Sequence, residues 1–167
     1  RSKETIAFVG RLQFERGVYE WIEIAGQFDH KQLLVIGDGP LKSELQSKLS
    51  GAKVMGSLSQ EEVQKQWSSI GVLLSSAPFE SYGLSMREAL LHGVPVVSRK
   101  NLGSMELQDH YPELIRVYET QDEATNYIRF FLRNPISANS FERFQSEFLV
   151  NQDASLKKLA AAWTNAF

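Results

Sequence analysis

Ile70-Gly71-Val72-Leu73-Leu74, then Phe79-Glu80-Ser81-Tyr82-Gly83-Leu84-Ser85-Met86-Arg87-Glu88-Ala89-Leu90, then Val94-Pro95-Val96-Val97 is the passage that decides the fold. The two outer runs are short and nearly continuous in apolar residues, the pattern of strands buried on both faces. Between them, Leu84 to Leu91 reads as a helix opened by a turn at Gly83. In a strand-loop-helix-strand unit the loop after the strand carries the ligand. Here that loop leads into a pair of carboxylates, Glu80 and Glu88, eight positions apart around a glycine.

The same alternation extends in both directions. Upstream, Thr5 to Val9 is a strand candidate, followed by a loop from Gly10 to Gly17 and a helix whose Val18, Trp21, Ile22, Ala25 and Phe28 recur at helical spacing. Leu33 to Ile36 is a second strand, broken by Gly37-Asp38-Gly39-Pro40, and the proline suits the first turn of a helix ending near Leu49. Lys53 to Met55 is a weak third strand. Ser59-Gln60-Glu61-Glu62 is a capping box that starts a helix carrying Trp67. Downstream, strands are expected at Val94 to Ser98 and Leu114 to Tyr118, then a second capping box at Thr120 to Glu123 with its helix stopped by Asn134-Pro135. Two more helices are expected, near Ser137 to Phe148 and Asp153 to Ala166, the last with Leu156, Leu159, Ala160 and Trp163 on one stripe.

Strands alternating with helices call for a parallel sheet covered on both faces, an α/β doubly wound, Rossmann-like class. At 167 residues, with 43% apolar and 23% charged, the chain suits one well-buried domain. The 18 basic and 20 acidic residues, net charge −2, argue against a general electrostatic grip on nucleic acid. No cysteine is present, so disulfides and thiolate metal sites are excluded, and a reducing, cytoplasmic location is the expectation. No apolar run approaches the ~20 residues needed to span a bilayer, and a soluble chain without a signal segment is expected.

The ligand crevice of such a sheet lies at the carboxyl ends of the strands, which selects the loops 10–17, 37–40, 56–58, 75–83 and 98–106. Gly10-Arg11-Leu12-Gln13-Phe14-Glu15-Arg16-Gly17 sets two guanidinium groups between glycines. Arginine engages phosphate oxygens in a fork, and glycine lets the backbone come close. Surface pairing of Arg11 and Arg16 with Glu15, Glu20 or other nearby carboxylates is the alternative reading. Gly83 and Leu84 offer unpaired amides and the positive end of a helix dipole, a second phosphate determinant. Glu80 and Glu88 can accept from hydroxyls on either side of a pyrophosphate, which describes a nucleotide sugar. The alternatives are that Glu80 merely caps the helix and that Glu88 pairs with Arg87 or Lys100.

Other motifs fail. Gly37-Asp38-Gly39 would need glycine at position 42 to complete a dinucleotide fingerprint, and Lys42 stands there. There is no P-loop and no Asp-x-Asp pair, and His30, His92 and His110 lack ligand spacing, so no metal is expected. His92, before Gly93, reads as a structural residue at a helix end.

Phe8 to Leu12 with Glu15-Arg16-Gly17, Ile36 to Leu41, Glu80 to Glu88, and His92 to Val97, in that order, resemble the C-terminal donor domain of family 4 retaining glycosyltransferases. The likeness spans about residues 5 to 106. It implies a GT-B architecture, in which two Rossmann-like domains face each other across a cleft. The C-terminal domain holds a nucleotide sugar and the N-terminal one holds the acceptor, so residues 1–167 are expected to form the donor half without its acceptor domain. By that resemblance Arg11 and Arg16 hold the donor diphosphate, and Arg16 stands where the family usually has lysine. Glu88 binds the ribose, Glu80 contacts the donor sugar, and Gly10, Tyr82, Gly83 and Leu84 present backbone to the phosphates. The loop Gly56-Ser57-Leu58 borders the base. The family's glycine pair after the Pro-Val-Val strand is reduced here to Gly103, followed by Glu106.

The resemblance further implies a UDP- or GDP-sugar donor, no metal or other cofactor, and retention of configuration. It implies a glycan or glycolipid acceptor in lipopolysaccharide or other cell-surface polysaccharide synthesis, with peripheral membrane association of the full enzyme at the inner face. The donor half alone is expected to bind without turnover. A non-catalytic nucleotide-sugar binding or regulatory module, and an epimerase-type Rossmann enzyme, are the competing readings.

Overall fold

A computed structural model describes residues 3–151. The expected helix from Asp153 with its Leu156-to-Trp163 stripe lies outside them. Six strands, β1 (Thr5–Val9), β2 (Leu33–Ile36), β3 (Lys53–Val54), β4 (Ile70–Ser75), β5 (Val96–Arg99) and β6 (Ile115–Tyr118), form one sheet in the order β3-β2-β1-β4-β5-β6. Every neighbouring pair is parallel. The order runs outward in opposite directions from β1 and β4, so the topological switch point lies between them.

Helices α1 (Val18–Ala25), α2 (Lys42–Lys48), α3 (Gln60–Trp67), α4 (Leu84–Leu91), α5 (Leu102–His110) and α6 (Gln121–Arg133) follow the strands in turn, and a seventh, α7, covers 139–151. Strand side chains alternate between two cores. Ile6, Phe8, Leu33, Val35, Val72 and Leu74 pack with Trp21, Ile24, Ile128 and Phe131 from α1 and α6. Ala7, Leu34, Ile36, Leu73 and Val96 pack with Trp67, Met86, Leu90, Leu107 and Phe144 from the opposite layer. Both faces are thus covered, as continuous apolar strands require.

Both capping boxes form. Ser59 accepts from the Glu62 amide while Glu62 accepts from Ser59 N, and Thr120 and Glu123 do the same. His92 closes α4 and stacks on Trp67 at 6.0 Å between ring centroids. Two expectations need correction. Strand β5 begins at Val96 and not at Val94, because Val94 N is bonded to Ala89 O in the close of α4. The segment expected as a loop from Ser98 to Glu106 is mostly α5, started by Asn101, whose side chain accepts from Ser104 N while the Ser104 hydroxyl accepts from Asn101 N.

Candidate functional site

The carboxyl ends of β1, β2 and β3 are laced together by backbone. Gly10 N donates to Ile36 O at 3.0 Å, Leu12 N to Asp38 O at 2.9 Å, Leu41 N to Leu12 O at 3.0 Å and Gly37 N to Gly56 O at 2.8 Å. A Cβ on Gly37 would stand 1.8 Å from Gly10 O, so only glycine permits this approach. The Gly37-Asp38-Gly39 turn therefore serves the wall of the site, which explains its glycines without a dinucleotide fingerprint. Between these loops opens a cleft of about 410 Å³ lined by Gly10, Arg11, Asp38, Ser57, Leu58 and Val63, among others. Asp38 is held below the usual carboxylate range by its ion pair with Lys42 and by the Gly39 amide.

At the switch point the loop after β1 meets the loop after β4. Gly17, with φ +68°, is so close to the second loop that a Cβ would lie 2.0 Å from Ser76 O. This seating carries Arg16 across to Glu80, and Arg16 Nη1 donates to Glu80 Oε2 at 3.1 Å over 64 residues of sequence. The Arg16 side chain also covers the bare face of Gly10, where an added Cβ would stand 3.6 Å from Nη2. Glu80 Oε1 accepts from Tyr82 N at 3.3 Å. Partial burial pushes the Glu80 carboxyl up, but the Gly83 and Tyr82 amides and the Arg16 guanidinium outweigh it and hold the group below its usual range. The crevice behind the pair, lined by Phe8, Arg16, Ser76, Ala77 and Ser85, retains only about 10 Å³.

The surface-pairing alternative for Arg16 is thus replaced by a pair inside the site, while Glu20 binds Arg99. Glu88 lies one turn along α4 from Ser85, on the same face by spacing, and forms no ion pair among the described residues. Its expected alternative partners are engaged elsewhere: Arg87 binds Glu106 and Lys100 binds Glu119. Arg11, in the open cleft, likewise forms no ion pair among the described residues. Glu80, Arg16, Tyr82 and Gly83 form one cluster, Gly10 bridges to the cleft of Arg11 and Leu58, and Glu88 stands further along α4, with no side-chain hydrogen bond or ion pair to either among the described residues. Leu84 is largely exposed.

Sequence reasoning missed the support behind the 77–83 loop, namely Arg87, Asn101 and Glu106. It also missed an apolar rim: Phe14, Phe79, Tyr82, Leu84, Leu102 and Met105 stand exposed in or next to the loops after β1, β4 and β5, Phe79 at 87%. Two hollows at the opposite, amino-end edge of the sheet are lined by Lys3, Gly93 and Ile136 with Phe131 or Phe141. They gather no comparable set of charges and amides, so the site belongs at the carboxyl edge.

This arrangement can hold a polyanion between Arg11, Arg16 and the first amides of α4, with carboxylates beside it for hydroxyl groups. The profile of the family "Glycosyl transferases group 1" matches residues 1–147. A GDP-mannose-dependent alpha-mannosyltransferase of Corynebacterium glutamicum is 32% identical over 106 residues, 64% of this chain and 25% of that protein. Among solved structures, Anabaena HepE with UDP and glucose superposes with a TM-score of 0.73 at 20% identity, covering 96% of this chain and 49% of that one. WaaG, a glycosyltransferase involved in lipopolysaccharide biosynthesis, gives 0.67 at 19% identity, covering 87% and 43%. At these identities the structural likenesses speak for the fold alone. The chain spans roughly a quarter to a third of the length of that mannosyltransferase and other curated relatives it matches. Among the described residues no helix is long and apolar enough to cross a membrane. With six parallel strands wound about this switch point and the family profile matched over most of its length, the chain belongs to the group 1 glycosyl transferases, as a C-terminal domain of the GT-B type.

Proposed function

We propose that this chain binds a nucleoside-diphosphate sugar along its carboxyl edge and presents it for retaining, metal-independent transfer to a glycan or lipid-linked acceptor held by a second domain. The observation that carries the reading is the Arg16–Glu80 contact at the switch point, with the Tyr82 and Gly83 amides on the same carboxylate. A cation and two amides already gathered on one anion are a preorganised anion site. The open cleft beside them, bounded by Leu58 and Arg11, has room for a nucleoside.

In this reading the base lies against Leu58 and the ribose hydroxyls donate to Glu88. The diphosphate takes Arg11, Arg16 and the amides around Gly83 and Leu84, displacing part of the Glu80 carboxylate. Released from Arg16, Glu80 accepts from a hydroxyl of the donor sugar and orients it. As the bond from the anomeric carbon to the diphosphate breaks, the electron pair leaves with the phosphate, where the two arginines and the α4 terminus stabilise it in place of a metal. The acceptor hydroxyl attacks from the same face and its proton passes to the departing phosphate oxygen. The apolar rim supports a cleft that is covered during the reaction, by a facing domain and by the apolar part of a lipid-linked acceptor. A role in cell-surface polysaccharide or lipopolysaccharide synthesis on the cytoplasmic side of a membrane fits that acceptor class.

Calorimetric titration with UDP, GDP and ADP in the presence of EDTA tests the reading. One nucleotide is expected to bind without metal, and Arg11→Ala and Glu88→Ala are expected to weaken it. Failure of all three to bind this chain, repeated with an enzyme that supplies both domains, overturns it.

A further inference from the structure

Arg87 is 8% exposed and sits on the buried side of α4, where a guanidinium is costly to place unless its donors are used. It uses them on the site loop. Its Nε donates to Tyr82 O at 2.9 Å, its Cζ lies over the Tyr82 ring 4.1 Å from the centroid, and Nη2 donates to Glu106 Oε1 at 3.0 Å. The same loop is pinned twice more from the start of α5: Gly103 N donates to Glu80 O at 2.8 Å, and Asn101 Nδ2 donates to Ala77 O at 3.0 Å. Gly103 has no room for a Cβ without crowding Tyr82 C at 3.0 Å and Gly83 N at 3.2 Å. Three carbonyls of 77–83 are therefore held from behind, which leaves the Tyr82 and Gly83 amides turned toward the Glu80 carboxylate.

Stability is a poor reason for this arrangement, because Glu106 is more than half exposed and a pair with one wet partner contributes little. Geometry is a better one. A carbonyl fixed by Arg87 fixes the orientation of the peptide that follows it, and that peptide carries the Gly83 amide.

We propose that Arg87, braced by Glu106, is a positioning residue that sets the Glu80–Gly83 turn, so that the Glu80 carboxylate and the neighbouring amides face the donor diphosphate and sugar. The inference rests on the donor-binding reading of that turn. Arg87 itself touches no substrate; it acts through Tyr82 and Gly83. A hydrophobic side chain of similar length would preserve the packing against the core and lose the two directed hydrogen bonds, and lysine would keep the charge without the fork.

The test follows the Glu80 carboxyl carbon by NMR through an acid titration in the wild-type chain, Arg87→Met, Arg87→Lys and Glu106→Gln, with thermal melts alongside. With Arg16 unchanged opposite Glu80, the Glu80 midpoint is expected to rise in Arg87→Met, because the Gly83 amide turns away. Lysine is expected not to restore it, and Glu106→Gln to move it in the same direction by less. Nucleotide affinity is expected to fall by about fivefold in Arg87→Met. A role in packing alone would lower the melting temperature and leave the Glu80 midpoint in place. That result in Arg87→Met overturns the proposal. Should Arg87→Met not fold, an unmoved midpoint in Glu106→Gln overturns it, since that side chain is exposed enough to replace safely. Nucleotide binding that is absent from the wild type would defeat the donor reading, and the titration would still report on the clamp.

Discussion

Two neighbouring parts of the carboxyl edge are built in opposite ways. Beyond β1, toward β3, the loops are zipped by backbone hydrogen bonds and leave an open cleft of about 410 Å³ whose cation, Arg11, forms no ion pair among the described residues. Between β1 and β4 the crevice is reduced to about 10 Å³, and its cation, Arg16, is already spent on Glu80. A ligand entering the first part meets a formed wall; one entering the second must replace an internal ion pair. In the proposed donor-binding reading, the difference teaches that shape complementarity for a nucleoside is present before binding, whereas the charge complementarity for a diphosphate is released by it. Ground-state pairing of this kind costs affinity and contributes selectivity, because only a ligand that satisfies both Arg16 and the amides repays the exchange.

The comparison breaks most completely at Gly17. Gly17→Ala forces a Cβ to 2.0 Å from Ser76 O in a left-handed conformation, and a loss of about 3 kcal/mol is expected in urea denaturation. Gly93→Ala shares the positive φ with nothing within 4 Å, so about 1 kcal/mol is expected there, and equal losses at the two positions would refute the seating argument. Arg16→Ala should weaken a nucleoside diphosphate by about tenfold in calorimetry while leaving the parent nucleoside nearly unchanged, since only the phosphates reach the closed part. Glu88→Ala should weaken diphosphate and nucleoside alike, by about fivefold, if it serves the ribose.

The smallest effect is a pH dependence. Glu80 is held below its unfolded value, so its contribution to stability is present above the ordinary glutamate value and fades as pH falls through the folded one. The stability difference between wild type and Glu80→Gln is therefore expected to shrink below about pH 4, and to stay under about 1 kcal/mol throughout. Urea titrations at a series of pH values measure it, and a difference that grows toward acid would reverse the assignment.

Much of the scaffold was legible because its signals are local. The continuous apolar strands, the Ser59–Glu62 and Thr120–Glu123 boxes and the Asn134-Pro135 stop each lie within a few residues, and each formed. Helix α5 was not legible for a local reason too: its third position is Ser104 where a glutamate or glutamine usually marks the box, and its buried face is Gly103, Ser104 and Leu107, too small and polar to print a periodic stripe. The site divides in the same way. Arg16 and Glu80 were each legible from the glycine-flanked loops that carry them, but their pairing was not, because nothing in the sequence says that positions 64 apart will touch. The glycines at 37 and 39 looked like a failed fingerprint because their partners, Gly10 and Leu12, come from another loop. The Arg87–Glu106 clamp was out of reach since Arg87 reads as an exposed neighbour of Glu88 until the helix is placed.

The zipped loops beyond β1 to β3 also govern how this surface can change over time. Loops are ordinarily where insertions and substitutions accumulate, but here Gly10, Leu12, Gly37, Asp38, Leu41 and Gly56 exchange main-chain bonds as strands do. The amide protons that donate in this lacing, those of Gly10, Leu12, Gly37 and Leu41, should exchange with solvent as slowly as those of the strands they prolong. Lengthening one loop would unzip its neighbours, so new ligand preferences must arise through the side chains that hang from a fixed frame, those of Arg11, Asp38, Ser57 and Leu58.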